Sequence, residues 1–257
     1  MDGAVARALA SRDGGALDRL AGTYDQAVPD PRAADRLREL ADHPGPLVGY
    51  LGKLIPQKGV ERFLEAVALL GPEVRGVVVG FGGYREWLSA LLLALHRGDA
   101  EGWRWLAGTS AMRVELGEAA VGSARGLADR VTFTGRLDHR YAPPVVAALD
   151  VLVVPSTLEE AFGMVAAEGA AAGALPLVAR HSALAEVAEA LEAASGTPGL
   201  LSFEPGKGAT ARLAEGLRRI LDLPAEEAAA AREAVRRLVV AEWTWDRTAA
   251  RLLDAAT

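Results

Sequence analysis

The chain has 257 residues, enough for one large domain, and about half are hydrophobic, so a sizeable core can be buried. A net charge of −6 offers no overall basic face of the kind that non-specific nucleic-acid binding needs. The absence of cysteine excludes disulfides, thiolate metal sites and cysteine nucleophiles, and it fits a cytoplasmic protein.

The first residues carry charges throughout and lack the apolar core of a signal peptide. Residues 1–45 are polar and Ala/Arg-rich, with helical spacing at 5–20 and 33–40 and breaks at Pro29, Pro31, Pro44 and Pro46. They read as a helical lead-in or linker, not an independent domain. From Leu47 onward short apolar runs (47–51, 74–81, 131–134, 151–154, 175–179, 200–203) alternate with amphipathic stretches (60–70, 87–95, 141–149, 164–172, 183–191, 209–223). This alternation predicts an α/β domain over 46–257, with a parallel sheet covered by helices on both faces. The run 151–154 is continuously apolar, as a central parallel strand should be.

Residues 98–128 interrupt the alternation and read as a helical insertion, with candidate helices at 103–106 and 112–127. After Pro224 the pattern gives C-terminal helices over 225–257, one to Glu242 and a last one at 244–255. The low-charge stretch 161–179 is interrupted by Glu168 and rich in Gly and Ala, so no membrane span is expected.

The segment PSTLEEAFGMVAAEGAAAGALPLVA (155–179) follows the apolar run 151–154. It reads as a polar loop, then a helix from near Ala161 to Gly173. In an open parallel sheet such a loop lies at the ligand-binding end, where free N–H groups at 161–165 could hold a phosphate. Gly163 would let a ligand approach the backbone closely. Glu160 and Glu168, eight apart on one helix, would span about 12 Å, enough to hold the two ends of a sugar nucleotide.

Pro155, Ser156, Glu160, Phe162, Gly163, Glu168, Gly173 and Pro176 make the segment similar to the E-x7-E signature of retaining glycosyltransferases of family 4, the glycogen-synthase-like group. Gly169 stands where that pattern has alanine, and Leu177 where it has valine. The resemblance implies a GT-B fold, here its Rossmann-like donor-binding half. It places Glu160 near the donor sugar and Glu168 on the ribose hydroxyls, with Phe162, Gly163, Met164 and Val165 against the sugar or phosphate. A second segment, Gly52-Lys53 through Lys58-Gly59, resembles the G-R-L-x-x-x-K-G stretch of the same family, with lysine at 53 in place of arginine. By resemblance both lysines contact the donor pyrophosphate, where they would neutralise charge on the departing diphosphate. Lys53 keeps the charge but not the planar fork of arginine.

Weaker likenesses extend the set. Gly80 lies in a V-G-x-G turn, and Arg136-Leu137 in an F-x-G-x-L stretch whose backbone would read the base. Residues 183–187 resemble a degenerate G-G-x-x-E segment with Glu186 retained. Trp243–Asp246 resembles the start of a last helix that packs across to the other domain in GT-B enzymes; a core tryptophan is the equal alternative.

His43, His96, His139 and His181 show no metal-ligand spacing and no D-x-D is present, so no metal and no cofactor are expected. The expected ligand is a nucleotide sugar, as substrate. The resemblance covers only the C-terminal half of a GT-B enzyme, so an N-terminal acceptor-binding domain is expected in cis or in trans. The expected function is retaining transfer of a hexosyl group to an acceptor. A non-catalytic binding or interaction module and a sugar-nucleotide epimerase remain as alternatives.

Overall fold

The computed structural model describes residues 3–22 and 32–256. Pro29 and Pro31, two of the predicted breaks, lie outside the described residues. The chain opens with α1 (Gly3–Ser11), α2 (Gly14–Gly22) and α3 (Ala33–Ala41). The single helical stretch predicted over 5–20 is two helices, because Arg12 adopts a left-handed φ of 55° and turns the chain. Both helices pack on α5 (Arg85–Arg97), with Val5, Leu9 and Leu17 buried.

Between α3 and α5 come β1 (Leu47–Leu51), a 3-10 turn at Pro56–Lys58, α4 (Val60–Ala68) and β2 (Arg75–Val79). Then follow α6 (Ala100–Ala107), α7 (Glu118–Val121), β3 (Val131–Gly135), α8 (Ala142–Ala147), β4 (Val151–Val154), α9 (Met164–Ala172) and β5 (Leu175–Ala179). The chain closes with α10 (Ser182–Ser195), β6 (Ser202–Phe203), α11 (Ala209–Leu221), α12 (Ala225–Glu242) and α13 (Trp245–Ala255).

The six strands form one parallel sheet in the order β3-β2-β1-β4-β5-β6. Alternation along each strand sends side chains to opposite faces. Val78, Val151 and Val153 join the larger core, whereas Val77, Val79 and Leu152 join a second cluster with Val146 and Leu149. The Rossmann-like sheet is therefore buried on both sides, as the apolar runs require. At one side the sheet ends in the two-residue β6. At the other α3 packs on β3, and Arg36 donates to the Thr134 carbonyl (3.2 Å).

The insertion differs from expectation. The predicted helix at 112–127 is reduced to the single turn of α7 and a 3-10 turn at Leu127–Asp129. The amides of Glu115 and Leu116 do not enter a helix; they donate to the carboxylate of Glu65 on α4 (2.9 and 2.9 Å). Gly126, with φ 83°, breaks the remainder. The strands at 74–81 and 200–203 are also shorter than read, at Arg75–Val79 and Ser202–Phe203. No helix among the described residues is long and apolar enough to cross a membrane.

Candidate functional site

The strand order reverses direction at β1, which pairs with β2 on one side and β4 on the other. Loops leaving the carboxyl ends of strands at such a switch point diverge and open a crevice. The two sequence segments singled out above are those two loops, after β1 and after β4.

The β1 loop is built by backbone packing. Gly52 N–H donates to the Val79 carbonyl (3.0 Å), and Leu54 N–H to Phe81 (2.8 Å). A Cβ on Gly80 would fall 1.9 Å from the Gly52 carbonyl oxygen, so this crossing admits only glycine. Tyr50 donates its hydroxyl proton to the Lys53 carbonyl (2.7 Å). Burial, and then the nearby Glu160 and Glu61 carboxylates, push the Tyr50 pKa up. It is a neutral donor that fixes the loop.

One atom joins the two loops. The Gln57 carbonyl accepts the N–H of Thr157 (2.8 Å) and the hydroxyl of Thr157 (3.0 Å). Gly59, with φ 65°, ends the 3-10 turn where a Cβ would stand 2.2 Å from the Pro155 carbonyl oxygen. The outcome is an ion pair across 102 positions of sequence: Lys58 Nζ donates to Glu160 Oε1, both side chains being largely buried.

Glu160 is not on a helix. Gly163 takes φ 89° and caps α9, which begins at Met164 and not near Ala161. The separation of Glu160 from Glu168 therefore does not run along one helix axis, and the 12 Å estimate loses its basis. Glu160 instead lies in the loop before α9, beside Lys58. The first hydrogen bond at the start of α9 runs from Ala166 N–H to the Gly163 carbonyl (2.9 Å), and the amides of Met164 and Val165 come before it. Phe162 is partly exposed and meets Trp243 edge to face, with ring centroids 5.3 Å apart. Trp243, at the end of α12, so packs within its own domain, next to the site.

Glu168 is exposed on α9, yet local desolvation raises its pKa, an effect His139 opposes. Lys53 is exposed on the β1 loop and is not joined to the Lys58–Glu160 pair. Arg136 places its guanidinium 5.4 Å from the Phe81 ring centre, and Leu137 packs on the second core cluster. Gly169 has a steric cause: a Cβ there would stand 2.6 Å from Leu152 Cδ2. Leucine on β4 fills the space that alanine would need.

Two residues complete the site, of which only Ser182 was missed in the sequence. Ser182 Oγ accepts the Glu160 N–H (3.0 Å), and His181 Nε2 bonds the Ser156 carbonyl (2.7 Å). Ser182 lies just before the segment 183–187 singled out above, and nothing in the sequence marked it. Among the described residues no cluster of three metal-ligating side chains occurs. Cavities of about 390 and 810 Å³ lie elsewhere, the larger lined by Arg32, Arg36, Arg75 and Arg85.

Beneath the β1 loop lies Glu61, 1% exposed, whose carboxyl is pushed up to about 7 by burial, with Arg62 and Arg113 opposing. A raised carboxyl pKa means the folded chain holds the proton more tightly than the unfolded one. The contribution of Glu61 to stability is then fully present at low pH and is lost as pH rises from about 4.5 through about 7. Glu61→Gln should flatten this slope and stabilise the protein at pH 8 by up to about 3 kcal/mol, the worth of the shift. Urea unfolding of both forms at pH 5.5 and 8 checks it; equal slopes would refute it.

A doubly wound parallel sheet with a Lys–Glu pair at its switch point defines a Rossmann-like α/β protein of the GT-B type. The chain belongs to the glycosyl transferases group 1 family, whose model matches residues 45–222. It is similar to the 2-deoxystreptamine glucosyltransferase of Streptomyces kanamyceticus, 31% identical over 207 residues, covering 78% of this chain and 43% of the relative. Among solved structures it resembles sucrose-phosphate synthase from Thermosynechococcus elongatus (TM-score 0.58, 24% identity, 89% of this chain and 50% of that one). It also resembles Anabaena HepE in complex with UDP-glucose (TM-score 0.55, 20% identity, 82% and 49%). The chain thus spans about half the length of these proteins.

Proposed function

We propose that this chain is the donor-binding half of a retaining glycosyltransferase, which takes a hexosyl group from a nucleoside diphosphate sugar to an acceptor. The observation that carries the reading is the Lys58–Glu160 pair at the switch point, next to the first amides of α9. A cation and amide donors suit a pyrophosphate, and a carboxylate suits sugar hydroxyls. HepE, a structural neighbour, is seen with UDP-glucose, which supports a donor of this class.

In this reading Lys58 and Lys53 stabilise charge growing on the departing diphosphate, and Glu160 meets the donor sugar as it passes through an oxocarbenium-like state. Glu168 holds the ribose hydroxyls. Gly52 lies with the two lysines beside the diphosphate, Gly80, Arg136 and Leu137 line the nucleotide end, and Phe162 to Val165 the sugar and phosphate. No metal or cofactor takes part, and the setting is the cytoplasm. The acceptor wall comes from an N-terminal domain in cis or in trans. Helix α13 supports this, since none of its residues is buried and Trp245, Leu252 and Leu253 are 79%, 68% and 70% exposed.

Calorimetry with UDP, GDP and ADP tests the reading. One diphosphate should bind, and Glu168→Ala should weaken it about tenfold, the worth of one charged hydrogen bond to ribose. Binding of none would favour a non-catalytic interaction module. Binding indifferent to Glu168→Ala would place the ribose elsewhere. Sustained sugar transfer by the chain alone would remove the need for a second domain.

A further inference from the structure

Ser182 carries a cost with no structural return unless it serves Glu160. Its φ is 48°, a left-handed conformation that a residue with a Cβ adopts only under strain, and Arg12 is the only other such non-glycine among the described residues. Glycine would fit this turn without penalty. What serine adds is the hydroxyl, and it accepts the Glu160 N–H at 3.0 Å. Next to it, Ala183 N–H donates to the Glu160 carbonyl (3.4 Å). The turn therefore grips both backbone groups of Glu160, while Lys58 holds its side chain. His181 anchors the turn itself to the Ser156 carbonyl (2.7 Å) at the start of the same loop.

Glu160 needs such a grip. It follows β4 and precedes the αL cap at Gly163, so neither strand nor helix fixes its backbone. We propose that Ser182 is a positioning residue that fixes the Glu160 carboxylate toward the donor sugar through the Glu160 amide. The proposal rests on the functional reading above, in which Glu160 meets that sugar.

The test compares binding of a diphosphate with binding of its sugar, using UDP against UDP-glucose and GDP against GDP-mannose. The ratio of the two affinities isolates the contribution of the sugar. Ser182→Gly removes the hydroxyl and relieves the strain, so the fold should persist with an unchanged or higher melting temperature. Its diphosphate affinity should stay as in the wild type, while the sugar's contribution falls about fivefold, the worth of one hydrogen bond. Ser182→Ala, which keeps the strain, should lose the same contribution. Amide exchange at Glu160, followed by NMR, should accelerate in both. Glu160→Ala should abolish the sugar's contribution, with no further loss in the double variant.

Four results would overturn this. If Glu160→Ala leaves the sugar's contribution intact, or no diphosphate binds the wild type, the functional reading fails and the inference with it. If Glu160→Ala abolishes that contribution but Ser182→Gly does not alter it, the inference alone fails. A loss in Ser182→Gly that also appears in diphosphate affinity would mark a merely structural role.

Discussion

Lys58→Ala should weaken binding of a nucleoside diphosphate about ten- to a hundredfold, the range expected for a charged hydrogen bond to phosphate in a partly desolvated site. Its partner should behave in the opposite sense. Glu160→Gln removes a negative charge next to Lys58 and should leave diphosphate affinity equal or raise it a fewfold. In the proposed reading the carboxylate orients the ammonium group and yields it when phosphate arrives. Removing the cation takes away the attraction; removing the anion takes away a competitor. Calorimetry of both variants at low and high salt checks this, because the loss in Lys58→Ala and any gain in Glu160→Gln are both charge effects and should shrink as salt rises. Parallel losses in both variants would mean that the pair only holds the loops together.

Gly59→Ala should be among the most damaging single changes to the fold of the site. A Cβ there meets the Pro155 carbonyl oxygen at 2.2 Å, and φ is 65°. Backbone strain and the forced separation of the two loops should together cost about 3 kcal/mol, near the top of the usual range for one substitution. In a chain of this size that lowers the melting temperature by roughly 10 °C. The Lys58–Glu160 pair should open with it, so diphosphate binding is lost as well. Gly83→Ala is the control: a Cβ there meets nothing within 4 Å, and stability should be unaffected. A melting temperature for Gly59→Ala equal to that of the control would show that the loops can part without cost.

Much of this was legible in the sequence. The runs at 47–51, 151–154 and 175–179 are the strands β1, β4 and β5 residue for residue, because a strand buried on both faces must be apolar at every position. The helices α9 and α12 were bounded by Gly173 and Pro224, whose backbone restrictions act locally. The misreadings arose where distant groups decide. Apolar spacing at 112–127 suggested a helix, but Glu65, about fifty residues earlier in the chain, takes the amides of Glu115 and Leu116. Glu160 was drawn onto a helix because composition does not reveal that Gly163 is left-handed. The family likeness assigned Lys58 and Glu160 to one site, but the ion pair between them was not read from the sequence. Ser182 was hidden because its role is visible only once the loops after β4 and β5 lie together.

The narrow ends of the sheet limit how the protein can grow. An uncovered strand edge invites a strand from another chain, which is the usual route to unwanted aggregation and also to deliberate joining by strand addition. Here β6 offers only two residues for such pairing, and α3 packs on β3 at the opposite end. Neither end is a template. In the proposed reading the acceptor domain therefore approaches by the loops and by α13, without adding to the ladder of strands from which the loops of Lys58 and Glu160 leave.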